Sequence, residues 1–193
     1  MVLEESDKEL IEGCQRGESD AFRALFERHK DKVYSIALRY SGDAGVAQDI
    51  AQEVFLKLFT GLRSFRGDCD FSSWLYRLVV NSCLDQKRKT RRLMPLLDDA
   101  LGMLQAQDLS AFDEVARAQL SSHLREVVAG LPDDQRILLV LRYTQNLPYD
   151  EIARILGSSH GTIASRLNRI HRTLERRLSR FSRGRDVKHG RSA

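Results

Sequence analysis

Positive charge is concentrated near the C-terminal end of this 193-residue chain. Between positions 166 and 185 only Glu175 is acidic, and the basic residues are Arg166, Arg169, Arg172, Arg176, Arg177, Arg180, Arg183 and Arg185. Between positions 98 and 114, by contrast, every charged residue is acidic. Because guanidinium groups neutralise phosphates, this asymmetry predicts a nucleic-acid footprint on the C-terminal part of the chain.

The segment 149–167 has the pattern of a helix-turn-helix. Ala153 is small where two helices must approach closely, and Gly157 allows the left-handed backbone of a sharp turn. Arg can bond guanine bidentately, Asn can read adenine, and Ser or Thr can reach bases or phosphates. We therefore expect base contacts from Thr162, Ser165, Arg166 and Arg169, with Asn168 on the same outward face and phosphate contacts from Arg172 and Arg176. The alternative is a helical hairpin with a solvated basic face.

A second group of residues with binding chemistry lies in the N-terminal half. In the segment 65–77, aromatic residues stand beside basic ones, a combination that suits unpaired DNA because rings stack on bases and cations follow the backbone. The alternative for Phe71 and Trp74 is a place in the core. Just before this segment, Asp49, Gln52 and Glu53 share one face of an otherwise apolar helix, where a plain solvated face is the alternative to a partner site.

Apolar periodicity predicts an all-α protein of two small helical domains that position these groups. We expect helices over 7–15, 20–40 and 44–62, and a fourth that ends near position 89. The second can be capped by Ser19 or Asp20, the third by Asp43, and the fourth by Ser72 or Ser73. A second set begins near 112 and continues over 136–143, 149–156 and 161–181. The predicted division is a helical bundle over 1–92, a flexible acidic linker over 93–111, a helix-turn-helix domain over 112–182 and a basic, frayed tail over 183–193.

Several functional classes are disfavoured by the composition. The three cysteines form no CxxC pair, and the five histidines are scattered as surface or cap residues, so we expect no metal, no cofactor and no catalytic residues. The net charge is +4, and no apolar run approaches membrane-spanning length. We expect a cytoplasmic protein that is not an enzyme and is not inserted in a membrane.

Three segments together resemble a known family. The stretch 49–57 resembles the polymerase-binding motif of bacterial sigma factors. The stretch 65–77 is similar to the promoter-melting segment of their extracytoplasmic-function (ECF) group, and Leu131-Pro132 with 149–167 is similar to the C-terminal domain of that group. Because the order and spacing also match, the chain is identified as a member of the ECF group of the sigma-70 family over about residues 8–180.

The resemblance implies a function without catalysis and a role for each site. It implies that Asp49, Gln52, Glu53 and Leu56 bind core RNA polymerase, and that the C-terminal helix residues named above read the duplex −35 promoter element. Single-stranded −10 DNA would be bound by Arg66, Asp68, Cys69, Asp70, Phe71, Trp74, Arg77, Asn81, Lys87 and Arg88.

The resemblance also implies two further partners or roles. One is an anti-sigma factor. The other is a linker that threads toward the active-site region of the polymerase, and our hypothesis is that its acids (Asp98, Asp99, Asp108 and Asp113) imitate nucleic acid there. A free-standing helix-turn-helix regulator is the alternative function.

Overall fold

The computed structural model describes the backbone of residues 6–93 and 123–189, and the side chains of 6–86 and 123–179. All regular structure in these ranges is helical, as the sequence predicts. The N-terminal half contains α1 (Asp7–Arg16), α2 (Ser19–Ser41), α3 (Ala44–Gly61), a 3₁₀ turn (Leu62–Ser64) and α4 (Phe71–Leu93). The C-terminal half contains α5 (123–129), α6 (Asp133–Leu139), a π turn (Val140–Thr144), α7 (Tyr149–Leu156) and α8 (His160–His189).

The helix boundaries of the N-terminal half follow from local capping. Ser6 and Glu9 form a reciprocal capping box at the start of α1, and Asp43 accepts a hydrogen bond from the Val46 amide at the start of α3. Gly17 and Gly42 adopt positive φ angles of 87° and 75° at the ends of α1 and α2. These sharp turns fold the amphipathic helices back on one another around a shared core.

The C-terminal half places the two helices of the predicted helix-turn-helix on a short helical base. Helix α7 runs over the predicted residues, and Gly157, with φ 60°, ends it in the left-handed conformation. Ile152, Ile163 and Leu167 are fully buried and pack α7 against α8. The preceding π turn, in which the Gln145 amide donates to the Val140 carbonyl, carries the chain from α6 toward α7.

The two halves pack against each other through arginines that bind the ends of each other's helices. Arg136 of α6 is 7% exposed and donates to the Tyr40 carbonyl, 3.0 Å away, near the end of α2. In return, Arg77 of α4 donates to the Arg154 carbonyl, 2.8 Å away, in the last turn of α7. A guanidinium group at a helix C-terminus satisfies carbonyls that have no partner within the helix and complements the helix dipole.

Several local predictions were wrong. Neither Ser19 nor Asp20 caps α2, because Glu18 occupies the cap position without a side-chain hydrogen bond. Neither Ser72 nor Ser73 caps α4, because α4 begins at Phe71. The last helix was expected to end near 181 and to be followed by a frayed tail, but α8 continues to His189.

Other predictions fall partly or wholly outside the described residues. The predicted linker lies outside the described residues from position 94 onward, and so do its acids Asp98, Asp99, Asp108 and Asp113. The domain boundaries therefore stay predictions. Among the helices that the structure describes, none is long and apolar enough to cross a membrane.

Candidate polymerase and nucleic-acid interfaces

An open apolar groove of about 560 Å³ lies between α2 and α3. Its walls are aromatic pairs: Phe22 meets Phe59 edge-on at 5.0 Å between ring centroids, and Phe26 meets Phe55 at 4.6 Å. On its rim, Leu56 is 61% exposed and Phe59 is 54% exposed. Exposed apolar patches with polar rims mark protein–protein contacts, and a groove of this kind suits an amphipathic helix.

The acidic face of α3 borders this groove, but its members differ in availability. Asp49 and Gln52 are exposed, and Gln52 lines the groove together with Leu56. Glu53 is less accessible, because its carboxylate lies 2.8 Å from the Lys57 ammonium group. Lys57 also donates to Ser82 Oγ, 3.1 Å away on α4, and lies 3.7 Å from Asp85. Asp49 and Gln52 are therefore open to a partner, whereas Glu53 is partly buried and pairs with Lys57, the residue that joins α3 to α4.

The aromatic residues after α3 form one cluster at the start of α4. The ring centroid of Phe65 lies 4.9 Å from that of Trp74 and 6.1 Å from that of Phe71. Phe71 is 8% exposed and meets the imidazole of His29 at 5.4 Å, whereas Trp74 is only partly buried. Phe71 therefore serves the core in this conformation, and Trp74 keeps some ring surface toward solvent.

The loop 65–70 projects from this cluster into solvent. Arg66, Asp68 and Asp70 are exposed and Cys69 is partly exposed, so the structure brings these predicted residues together on one surface. Gly67 has a φ of 75°, which reverses the chain at the loop tip.

The remaining predicted single-strand residues lie along α4. Asn81 is exposed, whereas Arg77 faces the C-terminal half through its bond to α7. Arg154 of α7 also approaches Asp70, at 3.9 Å. The side chains of Lys87 and Arg88 lie outside the described residues.

Local hydrogen bonds set the start of the reader helix α8. The Thr162 amide donates to Ser159 Oγ, so Ser159 acts as the cap, and the two hydroxyl oxygens are 2.8 Å apart. Across the turn, His160 Nδ1 lies 2.6 Å from Asp150 Oδ1. The second contact links the start of α7 to the start of α8 across the turn.

The outward face of α8 carries the predicted DNA contacts. Ser165, Asn168 and the arginines are exposed, while Thr162 is partly buried. Arg177 differs, because its guanidinium approaches the Gly130 carbonyl at 3.3 Å and the Val127 carbonyl at 3.5 Å, at the end of α5. The residues that the structure assembles on this face are Thr162, Ser165, Arg166, Asn168, Arg169, Arg172 and Arg176.

Several titratable groups outside these interfaces are buried or hydrogen-bonded within the fold. Burial raises the pKa of the Cys83 thiol to about 12, and it also raises the pKa of Cys14. His29 is 5% exposed with its Nε2 3.1 Å from Asp7 Oδ1, so the expectation of a surface or cap histidine is wrong for this residue. Within the described residues, no group of three or more His, Cys, Asp or Glu side chains could hold a metal ion.

Reasoning from the sequence missed the groove. Phe22 and Phe26, like Phe55 and Phe59, are spaced four residues apart, which places each pair on one side of its helix. That spacing could have indicated a shared surface. Spacing alone, however, does not distinguish an apolar face that another helix covers from one that stays open.

Comparison with known proteins supports the resemblance. The family model for Sigma-70 region 2 matches residues 25–93, and that for Sigma-70, region 4 matches residues 122–176. The chain is 30% identical to the RNA polymerase sigma-H factor of Pseudomonas aeruginosa over 92% of its own length and 96% of that protein's. It is 35% identical to the ECF RNA polymerase sigma-E factor of Escherichia coli over 90% of this chain and 94% of that protein.

Solved structures show the same fold. CnrH, in complex with the cytosolic domain of CnrY, matches with a TM-score of 0.64 and 22% identity, covering 91% of this chain and 98% of that one. The sigma factor RpoE, in complex with the anti-sigma factor NepR from Bartonella quintana, matches with a TM-score of 0.61 and 22% identity, covering 82% and 96%. From these matches and the ordered arrangement of the two regions, the chain belongs to the ECF group of the sigma-70 family of RNA polymerase sigma factors.

Proposed function

We propose that this protein is a sigma factor that binds core RNA polymerase, recognises −35 and −10 promoter elements and promotes DNA melting. The observation that carries the proposal is that one chain presents both an open aromatic groove for a protein and an exposed basic reader helix for DNA. The family consists of transcription initiation factors and not of enzymes. Because a sigma factor acts on promoters, we propose that the protein is located in the cytoplasm. We also propose that it acts during a stress or envelope response.

Polymerase binding is assigned to the groove and its α3 rim. Leu56 and Phe59 supply apolar surface that a partner helix would cover, while Asp49 and Gln52 supply polar contacts at the edge. Central apolar anchors with a polar rim are the usual anatomy of a protein interface. Glu53 would contribute mainly by holding α3 against α4 through Lys57.

Recognition of the melted −10 strand is assigned to the loop 65–70 and the adjoining part of α4. The loop is exposed on both sides of Gly67, and Trp74 lies beside it with a partly exposed ring. Taking a base out of the stack costs a few kcal/mol of stacking and pairing free energy, so the surface that receives the base must offer stacking and hydrogen bonds of its own. Arg77 and Asn81 would contact the neighbouring backbone, with Arg77 first leaving the Arg154 carbonyl.

Recognition of the duplex −35 element is assigned to α8. Its first turns would enter the major groove with Ser165, Arg166 and Arg169, and its later arginines would bind phosphates. Replacing Arg166 by Ala should cost roughly 1–3 kcal/mol on the preferred element if it makes a bidentate base contact. Equal losses on all sequences would instead assign Arg166 to a phosphate.

The proposal is tested by run-off transcription with purified core polymerase on a library of promoters. Promoter-specific initiation that requires the protein is the expected result. Promoter binding that is the same with and without polymerase, and no initiation, would support the free-standing regulator instead. An anti-sigma factor is a further proposed partner, since a helix that fills the groove would exclude polymerase from it.

A further inference from the structure

Helix α1 contacts the polypeptide that leads into the loop 65–70. The side-chain amide of Gln15 donates two hydrogen bonds, to the Leu62 carbonyl at 3.1 Å and to the Phe65 carbonyl at 2.9 Å. These carbonyls lie in the 3₁₀ turn and at the first residue of the loop. One side chain, 47 and 50 residues distant in sequence, therefore uses both of its amide hydrogens to hold the place where the loop begins.

Helix α1 is itself packed against α2, so Gln15 extends from a helix that is held in place. A Cβ at Gly13 would lie 2.7 Å from the Ala21 Cβ, which shows how closely α1 approaches α2. Leu10 and Ile11 are buried in the common core. At the other end of α1, Asp7 binds Arg28 at 2.9 Å and His29 at 3.1 Å. Gln15 thus transmits the position of the α1–α2 pair to the loop.

The loop is held at two further points. The side chain of Phe65 packs on Trp74, so its ring is fixed to α4 while its carbonyl is fixed to α1. At the far end, the Trp74 amide donates to the Asp70 carbonyl at 3.1 Å. The exposed residues between these points are the ones to which single-strand recognition is assigned.

We infer that Gln15 is a positioning residue that sets the geometry of the loop reading the −10 strand. The inference rests on the proposed function of that loop. Gln15 touches no DNA in this scheme and acts only through the Leu62 and Phe65 carbonyls. A receiving surface must be held within a fraction of an ångström to distinguish one base from another, so loosening the loop reduces base preference before it reduces overall binding.

Global stability is a poor measure of this role, which makes the role testable. Gln15 is itself exposed, and water can reach the Leu62 and Phe65 carbonyls when the amide donor is removed. Removing the amide should therefore leave the melting temperature nearly unchanged. Base preference at −10 responds to loop position and is the discriminating measurement.

The experiment is run-off transcription with core polymerase on two promoter libraries, one randomised at −10 and one at −35. The variant Gln15→Met has a similar length and no donor. Gln15→Lys keeps donors for the same carbonyls, and Glu12→Gln is the matched control on the exposed side of α1. We expect Gln15→Met to lower base preference at −10 by about fivefold, which corresponds to about 1 kcal/mol of discrimination between bases. Gln15→Lys should restore most of it, and Glu12→Gln should match wild type.

Three results would overturn the inference. They are a Gln15→Met preference profile equal to that of wild type, an equal loss of preference at −35, and a loss at −10 that accompanies a lower melting temperature and weaker core binding. A wild-type protein without any −10 preference would instead refute the proposed function. The two failures are therefore distinguishable within one data set.

Discussion

Replacing Arg136 by Met tests the packing of the two halves. The guanidinium group donates to the Tyr40 carbonyl across the junction, and to the Leu131 carbonyl and Asp133 within its own half. It also lies 5.3 Å from the centroid of the Tyr40 ring. Met has similar length and apolar character but no donor, so the substitution removes the hydrogen bonds while limiting the cavity.

The expected cost follows from burial. Hydrogen bonds from a charged donor are each worth about 1.5–3 kcal/mol net, and breaking a buried ion pair typically costs about 3–5 kcal/mol. The Tyr40 carbonyl and the Asp133 carboxylate recover some solvation, so we expect the free energy of unfolding to fall by about 3 kcal/mol. The measurement is equilibrium unfolding in urea, with Arg166→Met, an exposed arginine on α8, as the control that should change stability by less than about 0.5 kcal/mol.

A double-mutant cycle isolates the part that crosses the junction. Tyr40→Leu removes the ring beneath the guanidinium group, and the coupling energy between Tyr40→Leu and Arg136→Met should be about 1 kcal/mol, the size of a partly desolvated cation–π contact. A coupling energy near zero would refute the contact between α2 and α6. A total loss below about 1 kcal/mol for Arg136→Met would refute the importance of the buried arginine.

Three further predictions concern the groove, the N-terminal helix and the thiols. Leu56→Asp should weaken binding to core polymerase by more than about tenfold, because burying a leucine contributes roughly 1.5–3 kcal/mol. Leu124→Asp, at another exposed leucine, should leave the affinity unchanged. The measurement is a titration of each variant with core polymerase. Burial alone would raise the pKa of Asp7, but hydrogen bonds from Arg28 and His29 outweigh it and lower that pKa, so the stabilisation holds above about pH 4 and is lost as pH falls through the lowered value. Asp7→Asn should therefore lower the melting temperature at pH 7 and flatten its decline between about pH 5 and 3. Alkylation at pH 8 should label Cys83 only on unfolding, since burial raises its pKa to about 12; labelling of the native protein at that thiol would contradict its burial.

The reader helices could be predicted because their signals are local. The apolar spacing before Gly157 and the positive φ that this glycine adopts belong to one short segment, and the structure has α7 over the predicted residues. The predicted end of α8 was wrong because its last turns are rich in arginine and lack the apolar spacing that indicates a helix. Local propensity predicts where a helix exists better than where it ends.

The relations between distant segments could not be predicted in this way. Lys57 of α3 donates to Ser82 on α4, 25 residues away, and the buried His29 lies against Asp7 of α1, 22 residues away. Gln15 reaches two carbonyls that no spacing rule connects to it. These contacts join residues far apart in sequence, so periodicity carries no information about them.

The hydrogen bonds that tie Arg177 to the end of α5 change what the basic helix should contribute to the salt dependence of DNA binding. Each phosphate that a protein neutralises releases counterions, and the logarithm of affinity falls with the logarithm of salt by about 0.9 per contact. With Arg177 held against the Val127 and Gly130 carbonyls and with Arg166 and Arg169 assigned to bases, Arg172 and Arg176 remain for phosphates on the described turns of α8. Those turns should then add about −2 to the slope, and an arginine that closes α5 adds nothing to it.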